Sequence, residues 1–351
     1  MMHSLLSDSA NKGNERIHLI LCDAIRKQYE KENEKLYLKQ KVDTASVFNL
    51  LQRMFVAYQT LDSLDAKPNS KGRIKPKYRD KNAEFLNTYR KNLFSGGAFF
   101  IHKQRYQDGF NFMHTYIDCA NQPLFSTFHY KENPEAAYWT VFCGYKLNNP
   151  EMTLKYADIA LKDSAHLEYT MQYLAETYKN MEDTLNYERM LHEGFYRFRN
   201  SKYFFTYLID YYNKENRKNL ALLAIEDALK SDSTSLLFLY AKCNQLLNMG
   251  KYKESIEVCE KLIVQDSTFA DAYYNAGVAY INMAFELEQS KKLTQRDKKT
   301  IKSFYEKSLP YMEKYRELMP KEKDKWAAAL YNIYLQLNMG KQFEEIDKLL
   351  R

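Results

Sequence analysis

The sequence predicts an all-α protein, and three observations carry that prediction. Glycine and proline are scarce, 10 and 7 in 351 residues, and no proline stands between Pro150 and Pro310. Proline removes a backbone donor and clashes with the preceding turn, so a long span without it favours helix. Apolar residues recur at helical spacing from the first segments onward, as in Ile17, Leu21, Ile25 and Tyr29. Small and apolar residues also return at an interval of 34 through the middle of the chain. With 45% hydrophobic and 28% charged residues the chain can bury a large core, and its mean hydropathy of -0.63 points to a soluble molecule.

Taken in order, residues 1–14 are polar and expected to be flexible, with Asn14 and Glu15 opening a helix that runs to about Gln40. A second run from Asp43 places Val47, Leu51, Met54, Tyr58 and Leu61 at helical spacing, so residues 15–65 are expected to form a helical hairpin, either a degenerate repeat or a cap. Residues 66–80 read as a basic loop. The stretch KPNSKGRIKPKYRDK, residues 67–81, holds seven basic residues, one acid, two prolines and a glycine.

The strongest signal is ADAYYNAGVAY, residues 270–280. With Ala270 as position 1, steps of 34 give starts at Leu236, Lys202, Glu168 and Pro134 without a gap. Position 8 then reads Gly277, Cys243, Ile209, Ala175 and Val141, and position 4 reads Tyr273, Leu239, Phe205, Met171 and Ala137. Positions 20, 24 and 27 read Ala221, Ile225, Ala228, then Ser255, Cys259, Leu262, then Tyr187, Leu191, Gly194. With Tyr273, Gly277 and Tyr280 at positions 4, 8 and 11, the pattern resembles the W-x2-L-G-x2-Y first helix of the tetratricopeptide repeat. That resemblance implies a right-handed superhelical α-solenoid of stacked helix-turn-helix units over residues 90–351. Its repeats would start near 90, 134, 168, 202, 236 and 270, with a partial repeat at 327–351.

The departures from the pattern carry their own expectations. In the unit that opens at Arg90, Gly96 and Gly97 read as a close helix contact, because a phosphate loop would need further glycines and a preceding strand. An insertion at 119–133 must pack its Phe and Tyr residues, on the outer face or across the groove. The junctions KDSAH, KSDST and VQDST offer Ser or Thr ahead of the next first helix, where a hydroxyl can cap free backbone donors. Gly250 suits a positive φ inside one repeat. Matching Pro320 to the proline that closes a repeat implies an insertion of about 17 residues around 285–302, with Pro310 kinking or restarting the second helix. Tyr315 falls at position 27, where a small residue is usual.

No familiar catalytic or metal motif is present. HExxH, Walker, GxGxxG and GxSxG patterns are missing, so the expectation is a non-enzymatic protein with no metal and no cofactor. Five cysteines without CxxC spacing argue against a disulfide framework; Cys243 and Cys259, at positions 8 and 24 of one repeat, are expected buried and facing each other. His114 and His192 fall on an outward second-helix face and are expected at the surface. No signal-peptide run and no span of roughly 20 apolar residues occurs. The chain as given reads as cytoplasmic, or as periplasmic or secreted if an upstream signal was trimmed.

A stack of helix pairs curves into a concave surface, which the resemblance lines with positions 2, 5, 9, 12 and 13 of the first helices. Here these include Phe94 and Ala98; Tyr138 and Phe142; Tyr169, Gln172 and Glu176; Tyr203, Thr206 and Asp210; Tyr240 and Asn244; and Tyr274 and Val278. Asn275 is a further candidate for bonding a peptide backbone. The implied function is a protein–protein interaction scaffold that holds a peptide or protein partner in this groove. Position 5 is never Lys, so the family's clamp for a chaperone-tail carboxylate is not expected. The alternatives are a self-associating structural protein that uses its terminal repeat, and a weak binder of nucleic acid or anionic surfaces through residues 67–81 and 291–302. The net charge of +7 makes the last the weaker reading.

Overall fold

The computed structural model describes residues 11–68, 72–289 and 293–351. The expectations placed on residues 1–10, 69–71 and 290–292 lie outside these. Among the described residues there is no strand. The chain packs as two compact units, Met1–Gly194 and Phe195–Arg351.

The first unit opens with α1 (Glu15–Tyr37), capped by the Asn14 side chain, and α2 (Thr44–Asp65), capped by Asp43. Then follow α3 (Arg79–His102), α4 (Tyr106–Asp118), a short 3-10 turn (Pro123–Phe125), α5 (Pro134–Lys146), α6 (Pro150–Leu154), α7 (Ala157–Ala160) and α8 (Leu167–Asn180). α9 (Thr184–Arg197) carries the chain into the second unit. One apolar core joins the first four helices through Tyr29, Leu51, Met54, Phe55, Leu86, Leu93, Phe100 and Phe112, each side chain contributing roughly 1.5–3 kcal/mol by leaving water. A Cβ on Gly96 would stand 2.8 Å from Phe112 and one on Gly97 2.8 Å from Met113, so this glycine pair permits a close helix approach. The loop after α4 leans on α2 and α3. Its Leu124 and Phe125 are buried in the same core, and Arg90 lies between the rings of Tyr116 and Tyr130, 3.9 Å from each.

Two carboxylates one helical turn apart tie down the chain that enters α3. Asp62 takes the Arg79 guanidinium in a fork of two 2.8 Å bonds. Asp65 accepts the backbone N–H groups of Lys77 and Tyr78 at 2.6 and 2.8 Å. Removing the Arg79 guanidinium would leave the buried Asp62 carboxylate uncompensated, the costly way to break such a pair.

The second unit contains α10 (Lys202–Lys214), α11 (Lys218–Ser231), α12 (Leu236–Asn248), α13 (Tyr252–Gln265), α14 (Ala270–Glu288), α15 (Gln295–Leu318), α16 (Lys323–Gln336) and α17 (Gly340–Leu350). From α12 to α17 each helix packs against its successor. First helices therefore begin at Pro134, Leu167, Lys202, Leu236 and Ala270. The backbone repeats as well: Asn148, Glu182, Asn216 and Gly250, at intervals of 34, all take positive φ between 50° and 75° where the first helix of a pair ends. Only one of these is glycine. An amide pair adds a polar clasp, the buried Gln245 and the half-buried Asn213 exchanging two 2.9 Å bonds between α12 and α10.

Three expectations are corrected. At the junctions the hydroxyl caps are not formed; Asp232 and Asp266 instead accept the N–H of Thr234 and Thr268 two residues on, at 3.1 and 2.9 Å. The short Asp side chain reaches that donor while the chain is still turning, before a helix exists to cap. Pro310 does not restart the second long helix, since α15 runs unbroken through it from a Thr294–Asp297 capping box. The insertion is also longer than expected. Ser255 donates to the Cys243 carbonyl and Ser308 to the Gly277 carbonyl, both at 2.8 Å, across separations of 12 and 31 residues, so 19 residues are inserted. Most of them lengthen the two helices, whose outer ends close on Ala284, Ile301 and Tyr305.

Candidate interaction surface

In the first unit, α5 and α8 place their candidate side chains within one aromatic cluster. Tyr138 is only 6% exposed and stacks on His166 at 4.2 Å, so its ring is packed rather than presented. Phe142 is half-buried among Trp139, Tyr106 and Tyr173, with ring centroids 5.6 to 5.8 Å away. Tyr145 stacks on Tyr173 at 4.5 Å, and the Lys146 ammonium hangs 5.5 Å over Phe142. Tyr169 is 55% exposed. Gln172 and Glu176 follow on the same helix, half-buried, Glu176 lying 3.7 Å from Lys179. Trp139, Tyr145 and Tyr173 were not singled out from sequence. Tyr145 sits at position 12 of its repeat and was legible; Trp139 and Tyr173 share position 6, outside the family's lining set. Phe94 is half-buried edge-on to Tyr116, and Ala98 is exposed.

In the second unit, α10 presents Thr206 and Asp210 to solvent, with Tyr203 half-buried against Tyr207 at 4.5 Å. Tyr240 and Asn244 are half-buried on α12. Tyr240 packs 5.5 Å from Phe269, and burial, with Asp271 beside it, raises its phenol above the ordinary range. Tyr274 rests on Tyr315 at 5.0 Å, under the Lys325 ammonium at 6.0 Å. Val278 packs against the core shared by α14 to α17. Each candidate tyrosine here is thus held from behind by a second aromatic ring.

Besides Tyr138, two placements differ from expectation. Asn275 is 4% exposed and donates to Cys243 Sγ at 3.3 Å, so its amide bonds inside the protein. His114 is half-buried: Nδ1 lies 2.6 Å from the Tyr156 hydroxyl and the ring stacks on Phe110. Burial, with Lys155 nearby, lowers its pKa. The α6–α7 segment folds over that face of α4, and a sequence period does not reveal this. His192 is exposed.

Among the described residues, no group of three or more His, Cys, Asp or Glu side chains is arranged to hold a metal ion. No described helix is long and apolar enough to cross a membrane.

No family model matches the sequence, and no curated protein does. Several solved structures are similar to it, and those named here are tetratricopeptide-repeat proteins. YrrB, described as having an unusual peptide-binding site, is 20% identical over 56% of this chain and 91% of its own, with a TM-score of 0.39. The C-terminal part of a repeat protein from Cytophaga hutchinsonii is 13% identical over 72% of this chain and 98% of its own, with a TM-score of 0.43. A repeat protein from Bacteroides fragilis is 16% identical over 72% and 97%, with a TM-score of 0.33.

Proposed function

We propose that this chain is a non-catalytic interaction scaffold whose first helices bind a peptide or protein partner. The observation that carries the reading is the set of half-exposed side chains on successive first helices, Tyr203, Tyr240, Asn244 and Tyr274 in the second unit and Phe142, Tyr169 and Gln172 in the first. The rings of Phe142, Tyr203, Tyr240 and Tyr274 each pack on a further aromatic, so they are fixed before a partner arrives. A pre-positioned tyrosine offers a large apolar face and a hydroxyl at low entropic cost, the property that enriches it at binding hot spots. Gln172 and Asn244 add amides that suit a peptide backbone.

The partner is held by contact area and hydrogen bonds, and no reacting group is required. The test compares capture of proteins from the source cell by the parent chain and by a Tyr240→Ala, Tyr274→Ala variant with unchanged helical circular dichroism. Truncating two hot-spot rings is expected to weaken a genuine partner by about 2 kcal/mol or more, at least tenfold. A partner captured equally by both proteins would move the site away from α12 and α14.

A further inference from the structure

Cys243 and Cys259 have no part in the interaction surface. Cys243 stands at the small-residue position of α12, and Cys259 meets it from α13. Their sulfurs are 2.7 Å apart, and both side chains are fully buried. The two sulfurs are thus in direct contact, within a short further approach of the roughly 2.05 Å at which a sulfur–sulfur bond forms. The backbone at the pair is held by the Ser255 hydroxyl on the Cys243 carbonyl.

The two sulfurs are also unequal. Cys243 Sγ accepts from the Cys259 thiol and from Asn275 Nδ2, and these donors lower its pKa below the ordinary thiol value. Cys259, hydrogen-bonded to Cys243 and buried, keeps its proton, its pKa raised. Cys22, Cys119 and Cys143 differ, since burial pushes each of their thiols up to about 12. Reactivity of a cysteine follows its thiolate, and a neighbouring second thiol resolves the first oxidation product.

We propose that Cys243 and Cys259 form a peroxide-responsive dithiol that closes to an intramolecular disulfide. The Cys243 thiolate attacks one oxygen of hydrogen peroxide; the O–O bond breaks, a sulfenic acid forms, and the departing oxygen takes a proton and leaves as water. The Cys259 sulfur then displaces the sulfenic oxygen, which leaves as a second water with the Cys259 proton. Two thiols and one peroxide give one disulfide and two waters, and two electrons pass from sulfur to oxygen. Both sulfurs are covered, so the small uncharged oxidant enters by local opening. The bond ties residues 16 apart across the α12–α13 hairpin that carries Tyr240 and Asn244, and restricts that hairpin in the unfolded chain.

The test treats the folded full chain with hydrogen peroxide, removes the peroxide, unfolds the chain in denaturant with an alkylating agent to block every remaining thiol, and maps peptides without reduction. Two of the five thiols should be lost, in a single peptide pair joining Cys243 to Cys259, and a reductant should restore both. The oxidised chain should unfold about 5 °C higher than the reduced one. Cys259→Ser, and separately Cys259→Ala in case the hydroxyl disturbs folding, should form no such link. The proposal is overturned if all five thiols remain alkylatable at doses that oxidise exposed methionines, if the bond joins other cysteines, or if the unfolding midpoint does not move.

Discussion

The pairs α12–α13 and α14–α15 are built on one plan and differ in almost every visible respect. The first has helices of 13 and 14 residues, the second of 19 and 24. Yet in both, a second-helix serine donates to the carbonyl of the close-contact residue of the first helix at 2.8 Å. Across that contact one pair sets Cys243 against Cys259. The other sets Gly277 against Met312, whose side chain a Cβ at 277 would approach within 2.9 Å. What is repeated is therefore the serine hydrogen bond and the close approach beside it, and neither the identity of the two contact residues nor helix length. At the next packed position Leu262 in one pair answers to Tyr315 in the other, both fully buried.

The largest break in this equivalence should come from Tyr315. Tyr315→Ala removes a large buried ring and is expected to destabilise by about 3–5 kcal/mol in denaturant titration, at least as much as Leu262→Ala at about 2–5. Next comes Gly277→Val, which forces new carbon into Met312 and should cost about 1–3 kcal/mol. Combining it with Met312→Ala should cost less than the two single effects added together, whereas strict additivity would deny the volume exchange. Ser255→Ala and Ser308→Ala should each cost about 1 kcal/mol, and near-equal values are the sharpest support for the shared register.

The smallest effect concerns helix starts. α15 opens on the Thr294–Asp297 capping box, whereas α13 has no side-chain cap. Thr294→Ala should cost about 0.5–1 kcal/mol near neutral pH. Hydrogen bonds from Thr294 hold the Asp297 carboxyl below its ordinary pKa. Stabilisation from a depressed carboxyl is present above the ordinary value and lost as pH falls through the folded one. The gap between parent and Thr294→Ala should therefore narrow below about pH 4, as urea midpoints at neutral and acid pH will reveal.

Much of the fold was legible because the period of 34 lies in residues whose size is constrained, such as Gly277, Cys243 and Ala276. Gly250 announced its left-handed turn, while Asn148, Glu182 and Asn216 hid theirs, because surrounding helices impose that conformation on residues that only tolerate it. The long pair misled the count since most of the added residues continue the two helices, so no break in pattern marks their limits. The candidate surface was legible in outline, position by position. Its aromatic backing, Trp139, Tyr173 and Tyr315 among others, depends on which side chains turn toward a neighbouring helix, and that is decided by packing across repeats rather than within one.

The most direct test of the scaffold reading places a photo-crosslinking residue at position 240 on α12 and, in a second protein, at Lys261 on the exposed side of α13. Illumination in extract should join a partner to the first protein and not to the second. Crosslinking from position 261 alone, or equally from both, would contradict a partner held by the first helices.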